Sequence, residues 1–124
     1  MSIATYAVPI RSSGSPGSST AETVGEWHAS AIYTAQQTDT VVQAAPGVGY
    51  RLRISHIYIQ VNAAVDVLLE QGTATTKFNF YGDAKGAGVA QSVNILLDEN
   101  TNLTITTSGV VNVNLAVDGT VERI

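Results

Sequence analysis

Near the C-terminus, Val111, Val113, Leu115 and Val117 alternate with the polar Asn112 and Asn114. Just before them, Leu103 and Ile105 alternate with Thr104 and Thr106. A repeat of two over this many residues belongs to strands with one buried face, since a helix would scatter the same side chains around its circumference. Working back along the chain, the pattern predicts eight runs of this kind. They are 30–35, 39–44, 50–62, 65–71, 75–81, 91–97, 103–107 and 110–118. Turn signals punctuate them: Pro46-Gly47, Gly72, the Gly-rich stretch 82–88, the acidic corner 98–102 and Ser108-Gly109. Short β-rich runs separated by such signals predict a sandwich or barrel.

The run 50–62 breaks phase. Tyr50, Leu52 and Ile54 are apolar on one side, with Arg51, Arg53 and Ser55 opposite, but after His56 the apolar set becomes Ile57, Ile59 and Val61. No regular strand keeps both sets on one face. An extra residue near Ser55–Ile57, a β-bulge, restores the register and bends the strand. Thirteen residues also exceed the usual ~5–6 for a strand, and long bent strands suit two packed sheets.

Helix is nearly absent from this reading. The stretch 20–27 could hold one turn capped by Thr20, but it carries Gly25 and lacks an apolar stripe. The fold expected is therefore all-β: a two-sheet antiparallel β-sandwich of about eight strands, jelly-roll-like. An immunoglobulin-like sandwich is the alternative, and the chain lacks the paired cysteines of that signature. Residues 1–25, dominated by Ser, Gly, Thr, Ala and Pro, read as an extended arm ahead of a sandwich domain at 26–124.

Composition narrows the function. Charged residues make up 13% of the 124 and the net charge is −4, which argues against nucleic-acid binding, a task that needs a basic stripe. Nothing resembles a secretory signal or a membrane span. With no cysteine, thiol nucleophiles, disulfides and thiolate metal sites are excluded. His28 and His56 lack metal-ligand spacing, and Asp98 and Glu99 are adjacent and would point apart. The stretch 82–88 has three glycines and Lys85 but not the order of a phosphate loop, and no helix follows it. The expectation is a non-enzymatic protein with no catalytic residue, no metal and no cofactor.

Two stretches together resemble a known family. The first is the strand, Pro-Gly turn and long arginine-bearing strand of 41–72; the second is the acidic corner, Leu-x-Ile strand, Thr-Thr-Ser-Gly and Val/Asn strand of 95–117. In order and character these are similar to the small β-sandwich structural proteins of tailed bacteriophages, capsid decoration or cement proteins among them. The resemblance implies a jelly-roll subunit, commonly a trimer, bound to a capsid on the virion surface through the major capsid protein or other virion proteins, and stabilising the shell. It supplies no catalytic residue. On this reading the arm contacts neighbouring chains or the shell through Tyr6, Val8, Ile10 and Arg11, with Trp27 beside them. The alternative is a glycan-binding or receptor-binding module of a tail fibre, for which Tyr58, Asn79, Tyr81 and Asp83 are the candidate surface patch.

Overall fold

The computed structural model describes residues 22–73 and 75–124. They form eight strands: β1 (Glu22–Tyr33), β2 (Thr40–Gln43), β3 (Tyr50–Val61), β4 (Val65–Gln71), β5 (Thr75–Gly82), β6 (Gly88–Leu96), β7 (Leu103–Thr107) and β8 (Val113–Arg123). One sheet has the order β1-β8-β3-β6 and the other β2-β7-β4-β5, and every ladder is antiparallel. Each strand of the first half thus pairs with its counterpart counted from the other end. This is the order left when one long folded-back ribbon is rolled around a core, the jelly roll.

The core lies between the sheets. Ile57, Ile59 and Val61 of β3, Val67 and Leu69 of β4, Leu103 and Ile105 of β7, and Val113, Leu115 and Val117 of β8 are all buried. Phe78 and Phe80, on one face of β5, pack against them. Complete burial of an aliphatic side chain of this size contributes about 1.5–3 kcal/mol, so the alternation seen in sequence is also the main source of stability.

The expected bulge is present. Both ladders of β3, to β6 and to β8, shift register between Ile54 and His56. On β8 only Asp118 separates the inward Gly119 and Val117, whereas on β3 Ser55 and His56 separate Ile54 from Ile57. The extra residue brings Leu52 and Ile54 onto the same side as Ile57 and Ile59, and all four have no exposed surface.

The structure departs from expectation at β1, which begins at Glu22 and runs twelve residues along β8. Residues 22–25, read with the arm from sequence, are strand. Their signal was weak because the inward positions of β1 after Trp27 include the small Ala29 and Ala31, and Gly25 sits at a register shift. Trp27 is likewise a core residue rather than an arm anchor. It is 8% exposed and its indole Nε1 donates to the Thr120 carbonyl at 3.1 Å. Gly119, its partner on β8, makes room: a Cβ there would overlap the Arg53 carbonyl oxygen and lie 2.6 Å from the Trp27 ring.

Both ends of the roll are closed by side chains that bind backbone. At one end the corner after β6 captures alternate amides of the β2–β3 loop. Ala45 N donates to Asn102 Oδ1 at 2.7 Å, Gly47 N to Asn100 Oδ1 at 3.0 Å and Gly49 N to Glu99 Oε2 at 2.7 Å. Gly47 and Gly49 have φ of +111° and +89°, values that only glycine adopts without strain. At the other end Gln37 N donates to Thr107 Oγ1, Asp66 N to Ser108 Oγ and Asn112 N to Asn62 Oδ1.

Gly119→Ala should destabilise the protein by about 1–3 kcal/mol through overpacking against Trp27 and the Arg53 backbone. Gly109→Ala, where an added Cβ meets nothing within 4 Å, should stay within about 0.5 kcal/mol of the parent. Urea unfolding of both variants checks the contrast, and equal midpoints would contradict the packing described.

Candidate functional site

Alternation that buries one face of each strand presents the other outward, and the outer face of the β1-β8-β3-β6 sheet carries the polar chemistry. At one end of it Glu122 of β8 stands opposite Arg51 of β3. Arg51 Nε donates to Glu122 Oε1 at 3.2 Å, and Arg53 Nε binds the other carboxylate oxygen. Arg53 also reaches Asn94 of β6. The arginine stems cover the carboxylate, leaving its side chain 5% exposed. Burial pushes the Glu122 carboxyl up, but the hydrogen bonds and charges of Arg53 and Arg51 outweigh it and hold the group below the usual carboxylate range. With every oxygen of Glu122 bound by a guanidinium, the cluster ties β3, β6 and β8 together and leaves no carboxylate available for chemistry.

Beside the bulge lies a broad hollow of about 560 Å³ lined by Glu26, Trp27, His28, Ser55, Asp118, Gly119 and Thr120. His28 Nδ1 pairs with Asp118 Oδ1 across the β1–β8 ladder. Both side chains are more than half exposed. Ser55 lines the same hollow. Thr120 Oγ1 is the one buried side-chain oxygen without a partner among the described residues.

The corner 98–102 is committed to structure. Glu99 accepts from Gly49 N, and Asp98 Oδ2 accepts from Gln71 Nε2 at 2.7 Å. The Gly-rich stretch after β5 is an inter-strand loop pinned to β3, with Gly86 N donating to the Val61 carbonyl and Val61 N to that of Ala87. Among the described residues no group of three His, Asp or Glu side chains converges as metal ligands would.

Tyr6, Val8, Ile10 and Arg11 lie outside the described residues. The surface patch named from sequence is divided by the fold. Tyr58, 38% exposed, points outward from β3 in one sheet. Asn79 and Tyr81 point outward from β5 in the other, where Asn79 Nδ2 donates to the Tyr81 hydroxyl at 3.1 Å. Asp83 follows them in the loop. These four residues do not form one surface.

A different set surrounds Tyr58. Its hydroxyl donates to Gln60 Oε1 at 2.9 Å. Gln60 stands opposite Asn114, and Asn62 is bonded to the backbone of Asn112. Together with Lys85 and Gly86 these residues line a depression of about 250 Å³. Sequence reasoning saw Asn112 and Asn114 as an outward polar face, yet missed their meeting with Gln60 and Asn62. The adjacency comes from the β3–β8 ladder, which joins positions about fifty residues apart, and no local signal announces it.

Apolar side chains are also exposed on β1 and β2, the edge strands of the two sheets. Val24 and Ile32 of β1 are 42% and 70% exposed, and Val41 of β2 is 50% exposed. Among the described residues each strand has a paired neighbour in its own sheet on one side only, which leaves a row of backbone donors and acceptors on the other side.

The fold has a solved counterpart. The chain is similar in structure to one in the cyanophage Pam1 capsid asymmetric unit, at 13% sequence identity and a TM-score of 0.50. The likeness covers 93% of this chain and 94% of that one. At this identity the likeness establishes the shared fold. No family model and no curated protein matches the sequence.

The Glu122 cluster yields a pH test. A carboxyl whose folded-state pKa is depressed contributes its full stability above the ordinary carboxylate range and loses it as pH falls through the folded value. Glu122→Gln should cost about 1–3 kcal/mol at neutral pH. The gap between parent and variant should close below about pH 4. Chemical denaturation across that range measures it, and a gap independent of pH would contradict the assignment.

Proposed function

We propose that the protein is a non-enzymatic structural subunit of a virion, one that decorates or cements a phage capsid. The observation that carries this reading is the pair of edge strands, β1 and β2. Val24, Ile32 and Val41 are exposed on strands that, among the described residues, pair on one side only, and residues 1–21 join β1. A surface of this kind suits another protein, because strand-edge hydrogen bonds supply affinity and the apolar side chains supply register. The fold shared with a chain of a cyanophage capsid asymmetric unit supports the reading, as does the low-charge, amide- and hydroxyl-rich composition.

On this reading the subunit works by mass action. Binding only the assembled lattice stabilises that lattice against expansion or rupture, with no chemical step. The N-terminal segment, with Tyr6, Val8, Ile10 and Arg11, extends the contact onto neighbouring subunits or the shell, and the subunits associate as trimers. A contact of this type buries more than about 1,000 Å² in total.

Particles of the encoding phage, stripped of this protein and mixed with purified chain, provide the test. The full chain should sediment with the particles and raise the temperature at which they rupture. A chain lacking residues 2–20 should bind at least about tenfold more weakly, and Ile32→Asp, an exposed substitution compatible with the fold, should weaken binding as well. A chain that stays in the supernatant, or a deletion that binds like the parent, would refute the proposal.

A further inference from the structure

The outer face of the β1-β8-β3-β6 sheet bears a second feature, centred on β3 and β8. Along β3, Tyr58 and Gln60 project outward, followed by Asn62 just past the strand end. The residues flanking Tyr58 are Ala90 on β6 and Ala116 on β8, and Gln60 is flanked by Gly88 and Asn114. Gly88 cannot carry a side chain, since a Cβ there would lie 2.7 Å from the Ile59 carbonyl oxygen. Tyr58 therefore has only small residues on either side in the sheet, and it is 38% exposed. The depression beside it, about 210 Å³ and lined by Tyr58, Gln60, Gly88 and Ala90 among others, adjoins the amide-lined one of about 250 Å³ through Gln60.

The polar groups here are of one kind. Gln60 and Asn62 each use their side-chain oxygen within the protein, Gln60 toward Tyr58 and Asn62 toward Asn112 N. Among the described residues, the NH₂ groups of both, and the whole side-chain amides of Asn112 and Asn114, have no hydrogen-bond partner. Amides offer a donor and an acceptor side by side, the complement of the vicinal hydroxyls of a sugar ring, each of which donates and accepts. An exposed aromatic side chain takes the apolar C–H face of such a ring. Among the described residues no carboxylate lines either depression, and Lys85 supplies a single positive charge to the larger.

We propose that this face is a carbohydrate-binding site for an oligosaccharide bearing carboxylate groups. One sugar stacks on Tyr58, its hydroxyls are read by Gln60, Asn112 and Asn114, and an acidic neighbour is held by Lys85. The proposal is independent of the capsid reading, because it rests on Tyr58, Gln60 and Lys85, which that contact does not invoke, and its test needs no particle; Ile32 stands beside Asn114 at the margin of the site. Recognition is of a charged polyhydroxyl chain, since amides and Lys85 line one depression while the other, floored by Gly88 and Ala90, offers Tyr58 as its one aromatic.

Two-dimensional amide NMR of the isolated full chain tests it, with trigalacturonate as the acidic probe and maltotriose as the neutral one. Trigalacturonate should shift resonances of 58–62, 85–88 and 112–116 in a saturable manner, and maltotriose should bind the same residues several-fold more weakly. Tyr58→Ala should weaken trigalacturonate binding by roughly tenfold. Lys85→Ala should abolish the preference between the two sugars while leaving maltotriose binding unchanged. Neither substitution touches the core, and dispersed spectra of the variants will establish that they fold. Absence of shifts from both sugars, or shifts confined to other surfaces, would overturn the proposal. So would shifts at this face that depend on protein concentration and not on sugar, which would mark it as a contact between copies of the chain.

Discussion

The fold depends on one irregularity in its most central strand. β3 pairs on both sides, with β8 and with β6, and its apolar residues change phase midway. Without the extra residue at Ser55, either Leu52 and Ile54 or Ile57, Ile59 and Val61 would face water. Each exposed aliphatic side chain forfeits about 1.5–3 kcal/mol, so the unbulged alternative loses several of these at once. That loss is comparable to the whole stability of a typical domain, about 5–15 kcal/mol. The bulge therefore decides whether the sheet exists. It also bends the strand where Gly119 of β8 admits the Trp27 ring, so the edge strand β1 is seated by the same local geometry.

Polar side chains do the remaining work of closure. The roll has two open ends, each a set of loops whose backbone groups need partners. Asn100, Asn102 and Glu99 serve one end, and Thr107, Ser108 and Asn62 the other. This use of short polar residues explains a composition rich in Asn, Thr and Ser and poor in charge. It also explains why the acidic corner and the glycine-rich loop, which catch the eye as candidate chemistry, are bound up in structure. The ion cluster of Arg51, Arg53, Asn94 and Glu122 acts in the same way across three strands.

An eight-strand roll with tied ends presents exposed apolar side chains on β1 and β2, an outward Tyr–amide face on β3 and β8 that meets Ile32 of β1 at Asn114, and an Asn79–Tyr81 pair on the opposite sheet. Each is built on strands, where side-chain positions are held by the ladders. Recognition by such a body rests on complementary shape and on edge hydrogen bonds, consistent with a protein that acts by association.

The alternation in the sequence was enough to determine that the chain is all-β, that it has about eight strands, that one face of each is buried, and that β3 is bulged. These properties follow from a period of two and its interruption, which are local. The extent of β1 was not legible, because Ala29 and Ala31 give little hydrophobic signal and the strand is held instead by its eleven-position ladder to β8. The destination of Trp27 depended on Gly119, ninety-two residues away in the chain. The sites were decided by the tertiary structure for the same reason. Tyr58 and Tyr81 look alike in sequence, yet pairing of β3 with β8 and of β5 with β4 sends them to different sheets. Gln60, Asn62, Asn112 and Asn114 come together only because antiparallel ladders make distant residues neighbours, and a one-dimensional pattern does not record which strands will pair.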